Sequence, residues 1–259
     1  MDWSTATACS GSFLGAHAGL KPALAQVCVA LDQPMTDVNV APMVKTTTTW
    51  IFEPGHTEAA FRARHMMVTW VRGLFKDIHG QMDIDFDNPL ASTFFGQIDA
   101  TRIWTGEPNR DAHLRSADFL DVDNHPLITF EGRCTERIGH SNFKAIADLT
   151  IRGITRPVAL DVAYLGQWET PFWLGDENKG TMRRIGLEAR TTINRHDFGV
   201  SWQDHLPHDG VVVSNQIEIV VDVEAIHLGD LEATGAISYY RRHDAPTEAK
   251  AGSSSAGDG

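Results

Sequence analysis

The chain has 259 residues, of which 42% are hydrophobic, enough for a substantial core in one large domain or two small ones. Its formal net charge of -12 comes from 34 acidic and 22 basic residues, and no basic stretch is interleaved with aromatic residues. Because phosphate backbones are bound by clustered Lys and Arg, this composition argues against nucleic acid as a partner.

The cysteines and the N-terminus indicate a compartment. Cys9, Cys28 and Cys134 are far apart and odd in number, which suits reduced thiols better than a disulfide framework or a zinc site. No run approaches the ~20 apolar residues that cross a bilayer. The first basic residue is Lys21, so the early positive charge of a signal peptide is missing. We expect a cytoplasmic protein without a membrane span.

Residues 1–44 are expected to form an N-terminal extension that is partly helical or irregular. Leu24, Val27, Cys28 and Leu31 recur at the spacing of an amphipathic helix. Such a helix would lie on the wall of the following domain or on a partner subunit; the alternative is a mobile arm.

From Thr46 onwards the sequence changes to short β-type runs separated by turns. Residues 58–70 have a helix-like composition, but Phe61, Ala63 and His65 fall on one face at a period of two, which favours a strand. Many short strands with few strong helices predict a sandwich or barrel. The other candidate strands are 46–53, 80–86, 93–104, 126–135, 142–151, 157–168, 183–194 and 211–226.

The C-terminal part begins with the clearest strand, in which apolar Ile217, Ile219 and Val221 alternate with mostly acidic neighbours, as a half-buried strand requires. Residues 228–244 are expected to be a short helix or irregular, and the tail is expected to be disordered from about 245. The domain boundaries are therefore 1–44, 45–228 and 229–259.

Three stretches resemble motifs of the YceI-like family of lipocalin-like, isoprenoid-binding proteins. They are NRDAHLRSADFLDVDNHPLITFEG (109–132), ADLTIRGITRPVALDVAYLG (147–166) and INRHDFGVSW (193–202). The resemblance covers roughly 46–226 in consistent order. It implies an eight-stranded antiparallel barrel around an apolar tunnel for a polyisoprenoid or quinone tail, and a homodimer is a reasonable expectation from it. The side chains expected to bind the ligand are Phe61, His65, Phe75, Ile103, Phe119, Phe130, Phe198 and Trp202.

Two motifs carry charged residues whose role the sequence leaves open. Arg110, His113 and Arg115 could form a polar mouth for an anionic head group, or could tie a connecting loop to the barrel. Arg195 and Asp197 lie two apart, so on a strand they would share a face as an internally satisfied pair.

Catalysis and metal binding have only scattered candidates. His65 is expected to point inward and is the first residue to test for a reaction, since imidazole titrates near neutral pH. His205 and His208 sit among carboxylates as weak metal ligands, although a polar surface loop explains the same composition. No dinucleotide fingerprint, phosphate loop or catalytic triad is present, and we predict no cofactor.

The leading hypothesis is a barrel that binds an elongated apolar molecule for sequestration or delivery. The alternative is an enzyme, such as a cyclase, isomerase or dehydratase, acting on a hydrophobic intermediate in the same barrel. A third reading makes the barrel a scaffold and the N-terminal amphipathic patch the working surface.

Overall fold

A computed structural model describes residues 47–206 and 210–241 of the chain. These residues are mostly β-strand, which confirms the all-β expectation. The strands are β1 (Thr48–Phe52), β2 (Glu58–His65), β3 (Thr69–Phe75), β4 (Ile78–Ile84), β5 (Thr93–Asp99), β6 (Leu127–Arg137), β7 (Asn142–Ile151), β8 (Ile154–Leu174), β9 (Glu177–Asn194), β10 (His205–Leu206), β11 (Gly210–Val211) and β12 (Val213–His227).

Eight antiparallel strands close into a barrel in the order β1-β4-β5-β6-β7-β8-β9-β12, and β12 pairs back to β1. The strand β12 closes the ring because its free edge is long enough for two partners. Its residues Val213–Asp222 pair with β2, and Ala225–His227 pair with β1. The predicted eight-stranded barrel is confirmed.

Two short interruptions divide the first four strands of the sheet. The turn 53–57 separates β1 from β2, and Lys76 and Asp77 separate β3 from β4. The hairpin of β2 and β3 therefore continues the sheet beyond β1 and β4, with β3 contacting Trp104 through a single bridge at Leu74.

The chain between β8 and β9 is a tight turn at Gly175 and Asp176, because the two strands pair as far as Leu174 and Glu177. One local prediction was wrong. The strand predicted over 93–104 ends at Asp99, because the Asp99 carboxylate accepts a hydrogen bond from the Thr101 amide and caps a short 3-10 helix.

Helices occupy the connections. Helix α1 (Pro108–Arg115) lies between β5 and β6, and α2 (Leu228–Ala233) and α3 (Ile237–Arg241) follow β12. Leu231, Ala236 and Tyr240 bury an apolar face against Phe172 and Met182 on the outer wall. This confirms a short helix after β12, and none of the helices in the described part is long and apolar enough to span a membrane. The 1–44 extension and the tail from 245 lie outside the described residues.

Arg195 ties together the segment after β9 and the start of β12. It lies in a 3-10 helix, not on a strand, so the predicted pairing with exposed Asp197 is wrong. Its buried guanidinium donates to the carbonyls of Val200 (2.7 Å), Trp202 (2.7 Å) and Ser214 (3.1 Å). Burial lowers the pKa of Arg195.

The Arg195→Met substitution should destabilise the fold by roughly 3 kcal/mol or more. Each buried carbonyl left without a donor costs about 1–3 kcal/mol, and the apolar replacement offers no hydrogen bond. Chemical denaturation measures the change. Arg156→Met is the matched control, because exposed Arg156 donates, within the described part of the chain, to the carbonyl of its neighbour Thr155 alone. Equal losses for both variants would contradict this role.

Candidate ligand-binding site

The inner face of the barrel is apolar, and a set of its side chains on β7, β8, β9 and β12, which we call the open arc, is only partly buried. These five side chains are Leu149 on β7, Tyr164 on β8, Leu187 on β9, and Val221 and Val223 on β12. Their partial exposure shows that neighbouring side chains do not cover them completely. Burial also raises the pKa of the Tyr164 phenol, which is consistent with weakly hydrated surroundings.

Other inward side chains are fully buried. Trp50 on β1, Ile78 on β4, Ile98 on β5 and Ile128 on β6 are each 8% exposed or less and belong to one core cluster. Ile185 on β9 and Ala225 on β12 are also fully buried, whereas Phe94 on β5 and Phe130 on β6 are partly buried. Fully and partly buried apolar side chains therefore alternate around the inner face.

Aromatic rings on the inner face lie across glycines of the neighbouring strand. A Cβ added at Gly73 would stand 2.4 Å from the ring of Phe61, and one at Gly96 would stand 2.5 Å from that of Phe130. The same close approach joins Phe94 to Gly132. A ring that fits over a glycine lies against the wall, so these positions contribute apolar surface without occupying the centre of the barrel.

One end of the barrel, which we call the capped end, is covered by the loop 100–126 and the segment 195–204. The rings of Phe119 and Trp202 pack 5.3 Å apart, and His113 stands edge-on to both. Arg152, in the turn between β7 and β8, donates to the carbonyls of Phe119 (2.7 Å) and Gly199 (3.2 Å). The predicted ligand residues Phe119 and Trp202 thus stand together in the cap.

Other predicted ligand residues are spread over three places. Phe61 and Phe75 are partners 5.6 Å apart on β2 and β3, and Phe130 stacks on Phe52 inside the barrel. Phe198 is 1% exposed in a second core cluster. Their role as ligand contacts stays a prediction.

The three residues of the predicted polar mouth do not form one site in the structure. Arg110 donates to the hydroxyl (2.7 Å) and carbonyl (2.9 Å) of Thr105, and His113 contacts Asp118 at 3.0 Å. These contacts fix the connection around α1, the loop-anchoring alternative. Arg115 instead lines a surface cleft of about 410 Å³ together with Ile103.

His65 ends β2, where it pairs in register with Thr69 and Val213. Its side chain is half-buried. Among the described residues it has no hydrogen bond or ion pair, so no carboxylate within that part of the chain orients it as a general base.

Sequence reasoning missed two features that depend on residues far apart in the chain. Strands β8 and β9 separate beyond Asp161 and Arg190, leaving a cleft of about 200 Å³ lined by Arg156 and Asp197 among others. The turn between β1 and β2 carries a cluster of possible metal ligands described below. The predicted metal candidate His208 lies outside the described residues, and of His205 only the backbone, in β10, is described.

Comparison with known proteins identifies similar chains. A model of the YceI-like domain matches residues 50–225. Protein YceI of Escherichia coli O17:K52:H18 is 32% identical over 174 residues, which are 67% of this chain and 83% of that protein.

Solved structures share the fold. BcnA of Burkholderia cenocepacia superposes with a TM-score of 0.55 and 16% identity, over 67% of this chain and 98% of that one. The Campylobacter jejuni YceI protein superposes with a TM-score of 0.51 and 26% identity, over 63% and 88%. The matched region runs from β1 to β12.

The Gly73→Ala substitution tests whether the aromatic rings lie against the wall. The added methyl would stand 2.4 Å from the Phe61 ring and 2.7 Å from the Thr105 methyl, and such overpacking costs about 1–3 kcal/mol. The double variant Gly73→Ala/Phe61→Leu should recover part of the loss, because a smaller side chain removes the first of these clashes and leaves the second. Thermal or chemical unfolding gives both values. Additive losses in the double variant would contradict the arrangement.

Proposed function

The chain belongs to the YceI-like family, and from that premise we propose that it binds an elongated apolar molecule inside its barrel. The observation that carries the proposal is the open arc of half-buried apolar side chains on the inner wall, including Leu149, Leu187 and Val221. Incomplete burial of an apolar wall leaves stabilisation unrealised, and a bound apolar molecule would supply it.

The chemistry of the arc favours a ligand that is recognised by shape. Apolar burial contributes about 0.8 kcal/mol per CH₂ group, so each five-carbon isoprene unit offers up to about 4 kcal/mol before ordering costs. Long chains with few polar atoms gain most from such a wall. An isoprenoid, a quinone tail or a similar lipid-like compound fits this description.

We propose that the ligand enters at the end opposite the cap. The cap is held in place by hydrogen bonds that Arg152 and Arg195 donate to backbone carbonyls. At the opposite end, Phe86 is 46% exposed and packs edge-on against Tyr164 at 6.2 Å. The Tyr164 hydroxyl supplies a polar group there for a quinone or phosphate head.

Three further predictions come from the sequence alone. They are that the protein sequesters or delivers its ligand, that it is cytoplasmic and that it forms a homodimer. The enzyme alternative also remains a prediction, since the described surroundings of His65 add no catalytic partner to it.

A larger side chain on the open arc should strongly reduce ligand binding. Val221→Trp places an indole inside the barrel, where it competes with the ligand for volume. The control is Val220→Trp, one residue away on the same strand but facing outward by the alternation of β12.

Native mass spectrometry and organic extraction of the purified proteins give the measurement. We expect a bound lipid in the wild type and in Val220→Trp, and at least a tenfold lower occupancy, about 1.4 kcal/mol, in Val221→Trp. Circular dichroism checks that each variant folds. An empty wild-type protein that also takes up no added isoprenoid, or equal occupancy in both variants, would refute the proposal.

A further inference from the structure

The turn between β1 and β2 brings three potential metal ligands together. Glu53 and His56 lie in the turn, and Glu224 projects from β12 beside it. One donor atom of each residue lies within 4.8 Å of the donors of the other two. The side chain of Glu224 contacts Arg184, and both alternate with the inward Ala225 and Ile185, so this cluster lies on the outer face, away from the apolar interior.

The distances suit a small divalent ion. His56 Nδ1 is 2.6 Å from Glu53 Oε2 and 3.7 Å from Glu224 Oε1. Neighbouring ligands of a tetrahedral zinc ion with bonds of about 2.0 Å are about 3.3 Å apart, a value between these two. The His56 side chain is 67% exposed, so its ring can turn to even out the separations.

One carboxylate oxygen of Glu53 lacks a hydrogen-bond donor among the described residues. This oxygen, Oε2, is buried and accepts no hydrogen bond from any described residue, although His56 Nδ1 stands 2.6 Å away. A buried carboxylate oxygen without a partner is costly. A cation placed between the carboxylate and the imidazole nitrogen supplies the missing partner to both.

The backbone holds the ligands in place. The Glu53 amide donates to the Glu224 carbonyl at 2.8 Å, and buried Thr57 donates its hydroxyl to the same carbonyl at 3.1 Å. A Cβ at Gly55 would stand 3.1 Å from Glu53 Oε2, so the glycine keeps that side of the carboxylate open. The backbone positions of two ligands are therefore fixed before any ion arrives, which lowers the entropic cost of binding.

The local charge also favours a dication. The two carboxylates face one guanidinium, that of Arg184, which donates to Glu224 Oε1 and to the Thr170 hydroxyl. A carboxylate has further lone pairs for an ion after accepting one such bond. A ligand set of one imidazole and two carboxylates suits zinc and similar transition ions better than Mg²⁺ or Ca²⁺, which prefer oxygen alone.

We propose that Glu53, His56 and Glu224 form a zinc site on the outer wall, with a fourth position open to water. The ion links β12 to the turn that joins β1 and β2. It thereby reinforces the point where the wall changes partner strand, and it acts independently of any ligand in the barrel.

Isothermal titration of the full chain with Zn²⁺ tests the site. The wild type should bind an equivalent of zinc that His56→Ala loses and that Glu53→Gln weakens by at least about tenfold, as expected when a coordinating group is removed. Zinc should raise the thermal midpoint of the wild type and not that of His56→Ala. An excess of Mg²⁺ or Ca²⁺ should not displace it.

The double variant His205→Ala/His208→Ala is the matched control, since those histidines are the other candidates in the sequence. It should keep the equivalent that His56→Ala loses. The proposal fails if the wild type binds no zinc, if His56→Ala binds zinc as the wild type does, or if the double variant alone loses the equivalent. In each of these cases the cluster is an ion pair between the imidazole and its carboxylates.

Discussion

The pairing of β12 is the interaction on which the barrel depends. One edge of β12 pairs with β9 from Gln216 to Ile226, and the other pairs first with β2 and then with β1. Without it the sheet would be open and its first and last strands would expose unpaired backbone groups. The same strand sets the division between inside and outside, because Val221 and Val223 face the interior while Glu218 and Glu224 form ion pairs on the surface.

Closure also explains why the two proposed sites are independent. A residue on β12 faces either the apolar interior or the outer wall, and neighbouring positions alternate. The half-buried Val223 lies on the open arc, whereas Glu224, the next residue, faces the turn between β1 and β2. A lipid inside and an ion outside would therefore stabilise the same strand from opposite faces, without sharing a residue.

Much of the fold could be predicted from the sequence because strand alternation is a local signal. The alternation from Ile217 to Val223 predicted both the strand and its inward face. Features that depend on non-local contacts were missed. Arg195 appeared to be half of a pair with Asp197, since nothing nearby in sequence shows the carbonyls of Val200 and Ser214 converging on it. The cluster at Glu53 and His56 was missed for the same reason, because Glu224 is distant in the chain.

The central claim is that the open arc of the interior is a binding surface, and a high-resolution crystal structure of protein purified without detergent tests it most directly. The account predicts continuous, elongated electron density along Leu149, Leu187 and Val221, in contact with other apolar side chains of the inner face. A barrel whose interior contains only ordered water, or is closed by rearranged side chains, even after incubation with a long-chain isoprenoid, would contradict it.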